Sequence, residues 1–176
     1  MLVFRCTQKL QKRLKVRAPI NLPKSSAQLG DWYGNTLFVG RLRLVIFISE
    51  TTMLPVVVTL RESKTLVPRF QKALCQLLEA LQMPKSIVLQ EMDIDSGWAF
   101  GPTASRRVVG VLNELAYQAE AELYSGRCGN PLDLALRLSG VPIGGLEHIV
   151  PCDAARMLLA PTAPKRAIWQ ACNLTA

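Results

Sequence analysis

Between Asn35 and Leu60 the chain sets three strand-sized apolar stretches almost end to end: "NTLFVG", "RLRLVIFIS" and "LPVVVTL". All three are rich in the β-branched and aromatic residues that suit a pleated, half-buried surface. The links between them are short, the second being "ETTM". Short links turn a chain back on itself, so the expected arrangement is an antiparallel meander. Arg41 and Arg43 alternate with Leu42 and Leu44, the period of a strand with one solvated face. Pro55 stands near the start of its stretch, which suits an edge or strand-entry position.

Upstream, "MLVFRC" reads as a short first strand that pairs with the meander. Thr7 is placed to cap a short helix, "QKLQKRLK", with Leu10 and Leu14 inward and Lys9, Lys12 and Arg13 outward. Residues 18–30 carry turn formers and read as a loop.

From residue 65 onward the pattern is mainly helical. Leu66, Phe70, Leu74, Leu77 and Leu81 recur every three or four residues, with Thr65 as the expected cap and Pro84 as the stop. Cys75 falls on the apolar face of this helix. "KSIVLQEMDID" fits a short helix or a strand, and "SGWAFGP" reads as a loop. Thr103 is expected to cap a helix running to about Tyr124, with Gly126 ending it. Asn130 and Pro131 open another helix, and Cys152 or Asp153 opens a last one at "AARMLLA".

The expected fold class is α+β: a small antiparallel sheet from the N-terminal third, packed against C-terminal helices. Residues 1–160 are expected to form a single domain. Residues 161–176 are expected to be a partly disordered tail that Trp169 could anchor.

The chain has 176 residues, 49 % of them hydrophobic and 19 % charged, which is a globular composition. No apolar run approaches the roughly 18 residues needed to span a membrane, and the start lacks a signal-like apolar region. The expected location is the cytoplasm, with no membrane partner. The five cysteines are odd in number and none has CxxC spacing, which argues against a disulfide framework or structural zinc site. With one histidine, His148, a His-rich metal site is excluded. No cofactor is expected.

The net charge of +8 is unevenly spread. Arg5, Lys9, Lys12, Arg13, Lys15, Arg17 and Lys24 all precede residue 25, with no acid among them. This arm is either the solvated face of a short helix or a contact for an anionic partner. The contact residues would be Lys9, Lys12, Arg13, Lys15 and Arg17, and the partner nucleic acid or an acidic protein. Phe4, Trp32 and Tyr33 are candidate stacking surfaces, although no standard DNA- or RNA-binding motif is present.

"SRRVVGVLNELAY" carries a glycine inside a helical pattern, at a cost of roughly 1 kcal/mol against alanine. On a helical wheel Val108, Leu112, Leu115 and Ala119 form the core face. Arg106, Gly110, Asn113 and Tyr117 gather on the other side. Close packing by a neighbouring element is one explanation for the glycine. A ligand or partner groove is a second, in which Arg106 binds an anion and Asn113 gives directional hydrogen bonds. An exposed glycine without a role is the third.

Two further constellations are weaker. Glu91, Asp93 and Asp95 alternate, and in a strand they would share a face able to hold a divalent cation. They lack any flanking catalytic motif, so a solvated loop edge is the preferred reading. His148 could pair with Cys128 or Cys152 as a thiol–imidazole couple, but nothing in the sequence brings them together. No P-loop, nucleophile elbow or dinucleotide fingerprint occurs.

The stretches "MLVFRCTQKLQKRLK", "LGDWYGNTLFVGRLRLVIFISETTMLPVVV" and "FGPTASRRVVGVLNELAY" resemble a family of uncharacterised small bacterial proteins. Its pattern begins MLxxRCTxKLxxRL, continues through W-x-A-N-L and xSExTLLPVVV, and ends in a helix of the form T-x-x-R-S-V-L-G-S-M-N-D. Thr103, Arg106, Gly110 and Asn113 match that helix, and the resemblance covers roughly residues 1–160. Arg107 stands where the family has serine, Glu114 where it has aspartate, and Gly34 where it has alanine. The resemblance implies relatives, and no reaction.

The function expected from the residues is a non-enzymatic binding or regulatory module with a basic N-terminal surface. The rival expectation is an enzyme acting on a phosphate-containing substrate through a pocket near Arg106 and Asn113. A protein-binding accessory factor is a third.

Overall fold

The computed structural model describes residues 1–16, 19, 22–92, 97–144 and 150–161. Arg17, Asp93, Asp95, His148 and Trp169 lie outside the described residues, as does the tail from residue 162.

Five strands form one sheet: β1 (Leu2–Cys6), β2 (Trp32–Val39), β3 (Leu42–Ser49), β4 (Pro55–Thr59) and β5 (Trp98–Pro102). Their spatial order is β4-β3-β2-β1-β5. The expected meander is present. β2 and β3 pair antiparallel from Trp32↔Ser49 to Val39↔Leu42, and β3 and β4 from Leu44↔Thr59 to Ile48↔Pro55. Gly40 sits at the tight β2–β3 turn with φ +55°, a region that favours glycine. β4 is an edge strand and Pro55 is its first residue, so both positions expected to suit the proline are met.

The sheet is mixed rather than antiparallel, because β1 runs parallel to both β2 and β5. A parallel pair needs a long crossover. The segment from Thr7 to Asp31 supplies one between β1 and β2. β5 occupies the stretch expected to be a loop. It holds Gly101 and Pro102, both poor strand formers, and only Gly101 is buried. Pairing with β1 makes it a strand despite its composition.

Six helices complete the fold: α1 (Gln8–Leu14), α2 (Leu66–Ala80), α3 (Lys85–Met92), α4 (Arg106–Tyr124), α5 (Pro131–Ser139) and α6 (Pro151–Leu159). Thr7 caps α1 as expected, its hydroxyl accepting from Leu10 N at 3.4 Å. Asn130 caps α5, accepting from Leu132 N and Asp133 N. The cap of α4 is Ser105 rather than Thr103: the Ser105 hydroxyl accepts from Val108 N at 3.3 Å. A 3₁₀ turn, Ser63–Thr65, leads into α2, so Thr65 holds the cap position without a side-chain cap bond. α6 begins at Pro151 after Val150, ahead of the expected Cys152 or Asp153, because proline suits the first helical turn.

Side chains alternate across the sheet. On one face Phe4, Trp32 and Phe47 meet Phe70 of α2, with ring centroids 4.9–5.1 Å from Phe70. Tyr33 lies on the other face, where its hydroxyl accepts from Ser105 N at the head of α4. α4 packs there against β2 and β3, and it buries Val108, Leu112, Leu115 and Ala119, the face expected from the wheel. α1 closes over Gly34. A Cβ added there would stand 2.5 Å from Phe47 Cε1 and 2.9 Å from Leu10 Cδ2.

Candidate functional site

The C-terminal ends of β1 and β5 send their helices to opposite faces of the sheet. Such a point often opens a ligand crevice in parallel sheets. Here the polar groups at that end are engaged in building the corner. Thr7 Oγ1 donates to Asn35 Oδ1 at 2.9 Å, and the same oxygen accepts from Thr36 N. Arg5 Nε meets Asp31 Oδ2 at 2.8 Å, and Ser25 N donates to the other Asp31 oxygen. Tyr33 donates to Glu50 Oε1 at 3.3 Å while accepting from Ser105 N. Burial and the Glu50 carboxylate together raise the Tyr33 pKa. Arg5, Thr7 and Asn35 thus serve as joints between elements.

Chemically unspent groups lie on α1 and the β2–β3 hairpin. Lys9, Lys12, Arg13 and Lys15 are all exposed. None has an ion pair among the described residues. Thr7 and Leu10 fix the roll of α1: Leu10 and Leu14 are buried, so the intervening cations must face out. Lys15 ends the helix in a left-handed conformation, φ 55°. Gln8, Gln11, Lys12, Lys15 and Val16 line a surface cleft of about 340 Å³.

The hairpin extends this surface. Phe38 of β2 is 42 % exposed and lies beneath Lys9, whose Nζ is 5.1 Å from the ring centroid. Arg43 pairs with Phe38 across the strands, and Arg41 sits at the turn, both exposed. Residues 1–49 contain nine cations and a single acid, Asp31, which is buried against Arg5. The remainder of the chain is electrically balanced. Phe4, Trp32 and Tyr33, the aromatic residues expected to offer stacking surfaces, are all fully buried core residues. The exposed aromatic of this region is Phe38, and its position beside Lys9 depends on long-range packing of α1 on β2.

The α4 face carries Arg106, Gly110, Asn113 and Tyr117 together, all exposed, Tyr117 at 76 %. No described residue comes within 4 Å of a Cβ built on Gly110. Close packing of Gly110 by another described element is therefore not the reason for the glycine. The face is open to solvent. Arg106 and Asn113 line neither the cleft on α1 nor the second cleft, of about 430 Å³, beside β4 between α2 and α5.

Glu91 lies on α3 rather than on a strand and is 1 % exposed, while Asp93 and Asp95 lie outside the described residues. Its two carboxylate oxygens accept from Gln28 N at 2.9 Å and Leu29 N at 3.1 Å. Burial pushes its pKa up, against the pull of those two donors. Glu91 thus ties α3 to the loop preceding β2. Among the described residues no three His, Cys, Asp or Glu side chains gather as a metal site. Cys6, Cys75 and Cys128 form no disulfide among the described residues, and burial pushes the Cys6 thiol up to about 12. No helix among the described residues is long and apolar enough to cross a membrane.

Comparison with curated proteins and with solved structures returned no significant match for this chain. A family model does match, over residues 3–154, which takes in the whole sheet except Leu2, together with the α1 surface and the α4 face. The chain therefore belongs to the family described as a domain of unknown function, DUF6933.

Proposed function

We propose that the protein is a non-enzymatic binding module whose α1 and β2–β3 hairpin contact single-stranded nucleic acid. The observation that carries this reading is Phe38, a half-exposed ring with Lys9 above it and Arg43 across from it, on an exposed surface that holds almost no acid. Cations spaced along α1 suit a phosphate backbone, and an exposed ring offers a base a stacking partner. An acidic protein would use the same cations but gains nothing particular from the ring, so nucleic acid is the preferred partner.

The test is fluorescence anisotropy of labelled single-stranded RNA and DNA over a range of salt. Affinity should fall steeply with salt, and neutralising Lys9, Lys12 and Arg13 together should reduce the log–log slope by about 2. Phe38→Ala should weaken binding by about 1–3 kcal/mol while leaving that slope unchanged. Absence of binding at low salt, or binding indifferent to both changes, overturns the proposal.

A further inference from the structure

The outer face of α4 is patterned along its whole length. Arg106, Gly110, Asn113, Tyr117, Glu120 and Tyr124 advance by alternating steps of three and four residues. At 100° per residue they fall within an arc of about 80°, opposite the side that buries Leu112 and Ala119. Tyr117 and Tyr124 are about three-quarters exposed, and Gly110 leaves a gap between Arg106 and Tyr117 with nothing described above it. Two large exposed aromatic residues and one missing side chain in a single helical seam suit a second helix laid along it.

We infer that the occupant of this seam is α4 of a second copy, docked antiparallel about a two-fold axis near Asn113. The seam is self-complementary in that orientation. Each Tyr117 comes opposite Gly110 of the other copy, so the ring fills the space the glycine leaves. Each Arg106 comes within one residue of Glu120 of the other copy. Neither Arg106 nor Glu120 has an ion pair among the described residues, so both charges are available. Asn113 meets its own copy at the axis, where an amide can donate and accept at once. The parallel orientation has none of these matches: it sets glycine on glycine and Arg106 on Arg106. This is the isologous pattern, in which one patch serves both partners. α1 lies on the other face of the sheet, so the two basic surfaces stay free.

In this register residues 106–121 of the two α4 helices overlap, a contact one helix wide and about 24 Å long. That is at the small end of specific interfaces, so the dimer should be weak, with a Kd in the micromolar range or above.

The test is sedimentation equilibrium on the full chain from about 5 μM to about 500 μM. Wild type should pass from monomer to dimer with rising concentration. Arg106→Glu and Glu120→Arg should each weaken the dimer about tenfold, and the double exchange should restore it. Tyr117→Ala should abolish it in the same range with an unchanged circular dichroism spectrum. A wild-type chain that stays monomeric throughout overturns the inference, and so does a dimer indifferent to Tyr117→Ala. Single charge reversals whose effects simply add in the double variant overturn the antiparallel register.

Discussion

Gly110→Ala should stabilise the monomer. The residue lies inside a 19-residue helix with two turns or more on its C-terminal side and one before it. Its φ is not among the positive values, so alanine fits the backbone without strain. A Cβ there meets no described atom within 4 Å, so no steric penalty offsets the gain. What remains is intrinsic helix preference, roughly 0.8–1.0 kcal/mol in favour of alanine in a helix interior. For a chain of this size that corresponds to a rise in Tm of about 2–4 °C. In urea, with a slope of about 2 kcal/mol/M, the midpoint should move up by about 0.4–0.5 M. The assay is urea unfolding followed by circular dichroism, at a concentration low enough to keep the protein monomeric, with an unchanged slope as the check on two-state behaviour. A midpoint that falls by a similar amount would refute the reasoning, since it would mean that the glycine is covered in the folded monomer. The same substitution should weaken self-association, because a methyl group then stands where Tyr117 of the second copy is seated. One change thus has opposite signs in the two measurements.

Gly34→Ala should behave in the other way, destabilising by about 1–3 kcal/mol in equilibrium unfolding, because the new Cβ stands 2.5 Å from the buried Phe47 ring. Phe47→Leu in the same chain should recover part of that loss, and two losses that merely add would show that the clash lies elsewhere. Glu91 has a raised pKa, so the folded state holds its proton to higher pH than the unfolded chain does. Its contribution to stability is therefore largest at low pH and is lost as pH rises from the ordinary carboxylate range through the raised value. Urea unfolding of wild type and Glu91→Gln from about pH 4 to about pH 7 should show that component of the slope only in wild type. Glu91→Gln should also cost about 1–3 kcal/mol at neutral pH, since one of the two backbone donors of the Gln28–Leu29 segment loses its acceptor. Cys6, buried and with its pKa raised to about 12, should react with a thiol reagent only as fast as the protein unfolds, and rapid labelling in native buffer would contradict its placement in the sheet.

The parts of the fold that could be read in the sequence are those set by local chemistry. The meander follows from short links between β-branched runs, α1 from the Thr7 cap, α5 from Asn130 and Pro131, and the buried side of α4 from its apolar spacing. The missed parts depend on distant partners. β5 has the composition of a loop, and only its register with β1, from Leu2↔Trp98 to Cys6↔Pro102, makes it a strand. The parallel direction of β1 is likewise invisible in a five-residue run. At the candidate surface the cations of α1 were apparent as a charge run, whereas Phe38 was not. Trp32, Gly34 and Thr36 on the same face of β2 are buried, so alternation gives no sign that Phe38 is exposed; that depends on where α1 packs. Glu91 read as one of three alternating carboxylates because α3 and a strand fit its segment equally well.

The placement of β1 between β2 and β5 has a consequence for how the chain is made. β1 is translated before any other strand described here, and β2 follows it within about 35 residues. One rim of β1 then stays unpaired until Pro102 has left the ribosome, about 60 residues after the end of β2. At ordinary synthesis speeds of about 5–20 residues per second, that interval lasts roughly 3–12 s. For those seconds a strand that is almost wholly buried in the finished protein offers a bare row of donors and acceptors flanked by Val3 and Phe4, a ready template for mispairing with another nascent chain. Slowing translation between residues 40 and 100 should lower the soluble yield, whereas slowing it after residue 105 should have little effect.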